Sequence, residues 1–226
     1  MESWQQLYRI KTLTEFFLAY TEGYDYNYSR GLKNLEKIIY LLKYLGLIDY
    51  SFYFYWFGPI SSQLETDLQE LADFECVDIE YESHYNSFED DYYTEMIIQP
   101  HIDKLKTYLK EIKTLMDQIQ SPDFSLDNVT LEFDQIIRLL KYNLNSPRRL
   151  ELAVSILYLL NEEKTFLKYE ILTELQMRKP YRNYTKQEFD TLWEDLEAGE
   201  YVKLISNEIK QLNRDNNPTK NIAYYT

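Results

Sequence analysis

Carboxylates are the side chains of this sequence that occur in chemically suggestive groups, since paired acids can share a proton or bind a metal ion. The densest group is the contiguous run Glu89, Asp90 and Asp91. Neighbours on an extended chain point to opposite sides, so three in a row rarely converge on one ion. The chain has two histidines, His84 and His101, and it has no EF-hand spacing, HExxH motif or Cys/His pair. We therefore expect neither a metal site nor a cofactor.

The sequence also lacks the motifs that accompany a catalytic nucleophile. Ser61 and Ser62 follow a Gly-Pro pair, but no GxSxG pattern surrounds them. Five glycines in the whole chain leave no glycine-rich loop that could cradle phosphates. Cys76 is the single cysteine, and we interpret it as a small buried hydrophobe in a reduced compartment. The sequence thus predicts a protein that is not an enzyme.

The acidic residues are concentrated in one part of the chain. From Tyr44 to Asp103, both included, the sequence has fourteen Asp and Glu and no Lys or Arg, and these fourteen equal the whole net charge of −14. Outside this stretch, called the acidic segment below, 24 acidic residues balance 24 basic ones. We expect the acidic segment to form one continuous anionic exterior, which repels phosphate backbones and attracts basic proteins.

The sequence shows no pattern of membrane insertion. The N-terminus lacks a basic region followed by an apolar run, and no stretch approaches the ~18 apolar residues that a membrane span requires. Together with the single cysteine, this predicts a cytoplasmic protein with no membrane partner.

The first half of the chain begins with helical periodicity. Apolar residues at helical spacing predict two helices within residues 7–45, the second of which ends at Gly46. Residues 52–57 are all aromatic, and they predict a short, largely buried strand. Gly58-Pro59 is the predicted turn after that strand.

A third helix and a hairpin complete this half. Ser62 and Glu65 have the spacing of a capping box at the start of the helix. Residues 76–82, CVDIEYE, alternate like a strand with one wet face, and residues 92–98, YYTEMII, return as a second strand. This order predicts a winged-helix-like N-terminal domain, residues 1–120, whose wing is acidic.

Residues 102–119 carry a heptad seam, which predicts a long connecting helix with one apolar edge. Such an edge packs either on its own domain or on a second copy, so the sequence is compatible with a monomer or a homodimer. SPDFSLDNV, residues 121–129, is polar and contains a proline, and it marks the predicted domain boundary.

The second predicted domain, residues 121–226, again has the order of a helix-turn-helix. Residues 151–160 are apolar nearly all round and predict a buried central helix. Thr185 and Glu188 form a second predicted capping box, and a short terminal strand follows that helix. The tail after Ser206 is expected to be loose. The predicted fold class is therefore mainly α with a small β hairpin (α+β).

Two stretches carry a resemblance to a known family. LEKIIYLLKYLG, residues 35–46, followed by a strand and by WFGPISSQLETDLQEL, residues 56–71, resembles the helix and Tyr-Gly-Pro-Tyr-Ser signature of YwgA-like bacterial and archaeal proteins. The pattern is also similar to the helix and Gly-Pro turn of the SocA-like, or Panacea, antitoxin domain. Phe57 and Ile60 stand where the signature has tyrosines. The resemblance implies a winged-helix-like fold without known enzymatic activity, found in toxin neutralisation and mobile-element conflict.

Tyrosines accompany the acids of the predicted wing. Because Lys and Arg are absent nearby, stacking of bases on these rings would lack an electrostatic funnel, and direct binding of nucleic acid is disfavoured. Tyrosines beside carboxylates suit a protein interface, where the rings supply contact area and the acids select basic partners. The predicted partner-binding residues are Asp78, Glu80, Glu82, Tyr85, Glu89, Asp90, Asp91, Tyr92, Tyr93 and Glu95.

These features lead to one main hypothesis and two alternatives. The main hypothesis is a non-enzymatic inhibitor of the antitoxin or phage anti-defence type. Its acidic, tyrosine-rich face would act as a nucleic-acid mimic and occlude a basic nucleic-acid-handling enzyme or toxin. The first alternative is a winged-helix DNA-binding transcriptional regulator that uses its C-terminal helices, but the helix after Thr185 is rich in acids. The second is a structural dimer built on the seam of residues 102–119.

Overall fold

The structure is a computed structural model, and it describes residues 2–23, 31–55, 57–86, 91–118, 144, 146–162, 167–178 and 183–198. Within these ranges the protein is mainly helical with two small antiparallel sheets, which confirms the predicted α+β class. The chain divides into two compact units, Met1–Val154 and Ser155–Thr226. The boundary predicted within residues 121–129 lies outside the described residues and stays a prediction.

Seven helices and four strands occur in the described part of the chain. The helices are α1 (Glu2–Gly23), α2 (Leu32–Tyr44), α3 (Ser62–Asp73), α4 (Ile102–Gln118), α5 (Pro147–Asn161), α6 (Lys168–Met177) and α7 (Lys186–Ala198). The strands are β1 (Tyr53–Tyr55), β2 (Gly58–Ile60), β3 (Val77–Asn86) and β4 (Asp91–Pro100), which form the antiparallel pairs β1-β2 and β3-β4. None of the described helices combines the length and the apolar character needed to cross a membrane.

Helix α2 lies at the centre of the first unit. Residues 35–42 are all buried, so this helix is covered on every side and not along one stripe. It ends in a Schellman motif, in which the Leu47 N–H donates to the Leu42 carbonyl (2.9 Å) and the Gly46 N–H donates to the Lys43 carbonyl (2.8 Å). Gly46 has a φ of +76°, a left-handed angle that favours glycine. The predicted helix end at this glycine is confirmed.

The aromatic strand before Gly58-Pro59 is shorter and more exposed than predicted. Strand β1 has three residues, and Tyr53 and Tyr55 expose 52% and 54% of their areas. The prediction of a largely buried strand is wrong, because alternate side chains of a strand point to opposite sides and here one side faces solvent. Gly58-Pro59 is not the turn itself. Gly58, with a φ of +100°, pairs with Tyr55 and begins β2.

The cap of α3 lies one residue earlier than the sequence predicts. The Leu64 N–H donates to the Ser61 hydroxyl (3.3 Å), so Ser61 is the N-cap and Ser62 is the first helical residue. Ser61 still has extended backbone angles (φ −141°, ψ 114°) because β2 ends at Ile60, and an N-cap residue is the last one outside the helix. The capping box predicted for Ser62 and Glu65 is therefore wrong by one position.

Helix α4 packs within the first unit. Its seam residues Leu105 and Ile112 are buried, and the helix lies against α1, where Lys113 Nζ is 3.1 Å from Glu15. The ring of Tyr108 stacks on Phe74 at a centroid distance of 4.7 Å. The apolar edge of α4 was expected to pack either on its own domain or on a second copy. Where the structure describes it, this edge packs on its own domain.

The C-terminal helices agree with the sequence patterns where the structure describes them. Residues 152–160 of α5 are buried, as predicted for a central helix. The Glu188 N–H donates to Thr185 Oγ1 (3.1 Å), and the Thr185 N–H donates to Glu188 Oε2 (2.8 Å). This reciprocal pair confirms the predicted capping box at the start of α7. The predicted terminal strand and tail lie outside the described residues.

Candidate functional site

The β3-β4 hairpin carries the described part of the predicted binding site. Both strands have ten residues, and they pair from Val77 opposite Pro100 to Asn86 opposite Asp91. Ten residues extend about 33 Å at the rise of a strand. Residues directly opposite each other in an antiparallel pair share one face of the sheet, so the register determines which side chains lie on the same face.

One face of this hairpin is acidic. Asp78, Glu80 and Glu82 occupy alternate positions of β3 and are exposed, and Glu82 lies opposite Glu95 of β4. We call these four residues the acidic face. Neither strand contains a Lys or Arg. The period of two that predicts a strand with one wet face therefore also brings these carboxylates together.

The tyrosines lie on the other side of the hairpin. Tyr85 pairs with Tyr92, and their ring centroids are 5.2 Å apart. Tyr81 follows the same alternation, so these three residues form what we call the tyrosine face. We expected acids and tyrosines to share one face, and for Tyr85 and Tyr92 this expectation is wrong. They lie an odd number of residues from the acids along their strands, which puts their side chains on the opposite face.

Two more of the predicted residues, Asp91 and Tyr93, lie near the end of the hairpin. The position of Tyr93 is opposite His84, and that of Asp91 is opposite Asn86, which puts both positions in register with the acidic face. Glu89 and Asp90 lie outside the described residues, and their part in the site stays a prediction.

The inner part of the acidic face adjoins the start of α2. Gly31 forms an isolated bridge with Ile97 of β4, and a Cβ atom at residue 31 would collide with the Glu95 carboxylate. Glu95 therefore lies beside the positive end of the helix dipole. His84 Nε2 is 3.5 Å from Glu82 Oε2 and 3.7 Å from Glu95 Oε2. Glu95 thus helps to hold the hairpin against α2, and the acids of β3 are the more exposed ones.

The acids of α3 do not extend this face. Asp67 is fully buried, where it accepts from Arg9 Nε at 2.9 Å and from Arg9 Nη2 at 3.3 Å. The guanidinium carbon of Arg9 also lies 5.3 Å from the centroid of the Tyr50 ring. Asp67 therefore joins α3 to α1 and is not part of an anionic exterior.

Two more acids of this region have partners on neighbouring helices. Glu70 accepts from Gln6 Nε2 (2.7 Å) and from the Tyr108 hydroxyl (3.4 Å), and burial raises the pKa of its carboxyl. Glu75, just after α3, pairs with Lys104 of α4 at 2.7 Å. The expected continuous exterior is corrected, because the acidic segment divides between the hairpin and contacts with α1 and α4.

A buried polar cluster at α2 escaped the sequence analysis. Lys37 Nζ donates to the Pro59 carbonyl (3.1 Å) and lies 3.6 Å from Glu36 Oε2. Glu36 Oε1 accepts from the Ser61 N–H at 3.3 Å. These bonds attach the Gly-Pro hairpin and the cap of α3 to the central helix. The available signal was a Glu-Lys pair inside the apolar run LEKIIYLL, where charges need partners when buried.

Burial shifts the pKa values of the charged groups in and near this cluster. Burial raises the pKa of Glu36 to about 7, although Lys37 opposes the shift. Burial likewise raises the pKa of Glu151 in α5 to about 7, against the opposing charges of Lys37, Lys33 and Arg148. Burial lowers the pKa of Lys37. Such a cluster can exchange protons near neutral pH, and its hydrogen bonds position backbone groups of the fold.

The described residues show no arrangement for metal or thiolate chemistry. No group of three or more His, Cys, Asp or Glu among them is placed to hold a metal ion. Cys76 is buried as predicted, and burial raises the pKa of its thiol to about 11, which disfavours the reactive thiolate.

The second unit presents little free positive charge on its capped helix. Lys168 lies 2.8 Å from Asp190, and Lys186 pairs with the same carboxylate. The pKa of Asp190 is lowered by hydrogen bonds from these two lysines. The Asp190 carboxylate thus offsets about half of the charge of these two lysines at the start of α7, where a DNA-reading helix would need positive charge.

Comparison of the chain with models of known protein families gives no match, and comparison with curated proteins gives no significant match.

Proposed function

We propose that this protein is a non-enzymatic binding protein whose acidic face occupies the basic surface of a nucleic-acid-handling enzyme or toxin. Asp78, Glu80 and Glu82 then take the place of phosphates and block the partner's own substrate. The observation that carries the proposal is the register of the β3-β4 hairpin, which aligns exposed carboxylates on one side of two strands that lack cations.

The electrostatic argument concerns association as well as affinity. Carboxylates aligned on one face of the hairpin give a local field of one sign, which accelerates encounter with a basic surface. Like charges on neighbouring strand positions also repel each other and cost stability, a cost that a cationic partner removes. A binding role accounts for an arrangement that is unfavourable in the isolated protein.

The resemblance to the YwgA-like and SocA-like (Panacea) families agrees with this proposal. In that interpretation the N-terminal region is winged-helix-like, and the β3-β4 hairpin is its wing. The protein then acts in the cytoplasm as an antitoxin or as a phage-encoded inhibitor of host defence. A wing that is acidic instead of basic changes the ligand from nucleic acid to a protein that binds nucleic acid.

The proposal is tested by charge reversal on the hairpin. Immobilised wild-type protein is incubated with extract of the source cell, and proteins released by a salt gradient are identified by mass spectrometry. The double variant Glu80→Lys and Glu82→Lys is expected to slow association with the retained basic protein at least tenfold at low salt, because two attractive charges become repulsive. Surface plasmon resonance at two salt concentrations measures this rate.

The matched control makes the same change of charge elsewhere. Glu111→Lys and Asp117→Lys alter two exposed acids of α4, and association is expected to change much less. Equal slowing by both pairs would contradict a hairpin-specific site, since it would reflect net charge alone. Salt-sensitive binding of duplex DNA by the wild-type protein would favour the DNA-binding regulator instead.

A further inference from the structure

The tyrosine face of the β3-β4 hairpin has no role in the proposed function, although it is rich in exposed aromatic residues. Tyr81, Tyr85 and Tyr92 expose 65%, 53% and 72% of their areas. Ser83 and Thr94 lie between them in the register and are exposed as well. The described positions of this face, from Val77 to Tyr85 and from Tyr92 to Pro100, include no charged residue.

This face changes character along the hairpin. Near its base, Val77 and Ile98 are buried, so that end of the face belongs to the core of the first unit. Further out, large rings occupy positions where a hairpin that only needed solubility would carry polar side chains. Exposed tyrosines combine a large apolar area with a polar tip and lose little entropy on binding, and they are enriched at interfaces.

The two faces of the hairpin therefore require two kinds of surface in a partner. A flat basic patch can contact the acidic face, but it leaves the rings in water. A groove can contact both sides of a two-stranded ribbon at once. Grooves that bind single-stranded nucleic acid have one set of cations along the phosphates and aromatic residues that stack on the bases.

The arrangement of the two faces favours a single strand over a duplex. Asp78, Glu80 and Glu82 form one row of carboxylates along β3, and exposed rings lie on the opposite face. A duplex has two rows of phosphates and keeps its bases stacked on one another, whereas a single strand has one row of phosphates and offers its bases to aromatic side chains. The hairpin therefore resembles a single strand more than a duplex.

We infer that the hairpin enters a single-strand nucleic-acid-binding groove of its protein partner. The acidic face lies on the cations that hold phosphates, and the tyrosine face lies on the wall that stacks bases. This inference rests on the proposed function, because it names the class of surface that the acidic face meets. The inference goes beyond the proposed function in two ways. It requires the tyrosine face for binding, and it specifies single-stranded nucleic acid as the ligand with which the hairpin competes.

The test uses the basic protein that the wild-type chain retains, with two oligonucleotides as competitors. One is oligo-deoxythymidine of about 30 nucleotides, longer than the roughly 4–16 nucleotides of a single-strand site. The other is a duplex at the same phosphate concentration. We expect the single strand to displace the partner at a concentration at least tenfold below that of the duplex.

Variants of the tyrosine face supply the second measurement. The triple change of Tyr81, Tyr85 and Tyr92 to Ser is expected to weaken binding at least tenfold, because it removes the three rings that stack on the aromatic wall of the groove. The same three changes to Phe keep the rings and are expected to keep affinity within about threefold. Circular dichroism checks that all variants remain folded.

Four outcomes would overturn the inference, and they separate it from the proposed function. The inference of a single-strand groove is overturned if duplex displaces the partner at an equal or lower concentration than the single strand, or if the Ser variant binds as the wild type does. In either case the proposed function still stands if binding depends on Glu80 and Glu82. Self-association of the wild type that the Ser variant loses, seen by analytical ultracentrifugation, makes the tyrosine face an interface between copies. Retention that does not depend on Glu80 and Glu82 removes the proposed function, and the groove with it.

Discussion

At the scale of single residues, the cation-free acidic segment obtains its counter-charges from elsewhere in the chain. Asp67 is buried beneath Arg9 of α1, and Glu75 pairs with Lys104 of α4. These two ion pairs differ in environment. The side chains of Arg9 and Asp67 expose 12% and 0% of their areas, while those of Lys104 and Glu75 expose 57% and 76%. Water screens the second pair strongly and the first very little.

This difference leads to a prediction for stability. Arg9→Met leaves the Asp67 carboxylate buried without its partner, and the free energy of unfolding is expected to fall by about 3–5 kcal/mol. Lys104→Met breaks the exposed pair and is expected to lower the free energy of unfolding far less, because water already screens that pair. Urea denaturation measures both values.

The double variant Arg9→Met and Asp67→Leu provides the internal control. It removes the unpaired charge, so it is expected to lose less than the sum of the two single changes. Equal losses for Arg9→Met and Lys104→Met would show that the buried pair does not hold α3 against α1.

At the scale of elements, the short stretch around Gly58-Pro59 connects a strand, a cap and a helix to α2. Lys37 holds the Pro59 carbonyl, Glu36 holds the Ser61 N–H, and the Ser61 hydroxyl caps α3. Each bond satisfies a backbone group that the buried setting would otherwise leave without water or partner. The start of α3 is therefore determined jointly by its own sequence and by α2.

The position of the cap gives a prediction with a close control. Ser61→Ala removes the hydroxyl that accepts from the Leu64 N–H, and it is expected to lower the free energy of unfolding by about 1 kcal/mol. Ser62→Ala alters an exposed residue and is expected to change it by no more than about 0.5 kcal/mol. Thermal and urea unfolding of both variants distinguish the positions. A larger loss for Ser62→Ala would place the cap where the sequence pattern alone puts it.

At the scale of the whole molecule, stability should depend on pH through the buried carboxyls at α2 and α5. The pKa values of Glu36 and Glu151 rise from 4.5 to about 7 in the folded protein. The folded state thus holds their protons more tightly than the unfolded state between these two values. By linkage, the free energy of unfolding falls as pH rises from about 4.5 to about 7, and this contribution levels off above that.

Glu151→Gln tests this dependence. A neutral amide has no proton to lose, so the variant is expected to unfold with a flatter pH profile. Relative to the wild type it should gain on the order of 2 kcal/mol at pH 8. Chemical denaturation at pH 5 and pH 8 measures the difference. Glu111→Gln, at an exposed position of α4, controls for the loss of one negative charge. Parallel profiles for wild type and Glu151→Gln would contradict the assignment.

Most of the local structure could be predicted from the sequence. Periodicity along the chain places the helices, Gly46 marks the end of α2, and Thr185 with Glu188 marks the start of α7, because these signals depend on neighbours within one or two turns. The failures occur where local signals compete. Ser61 and Ser62 are both suitable caps, and only the extent of β2 and the contact with Glu36 select the first.

The sequence by itself determined the composition of the hairpin and the concentration of acids within one segment, since charge and alternation are local properties. Only the tertiary structure decided how those acids are used. Asp67 is neutralised by Arg9 from a distant helix, while Asp78, Glu80 and Glu82 stay exposed, and no pattern along the segment distinguishes the two groups. The physical reason is that a carboxylate's environment depends on what packs against it, and the strand pairing that separates acids from tyrosines fixes the side each residue presents.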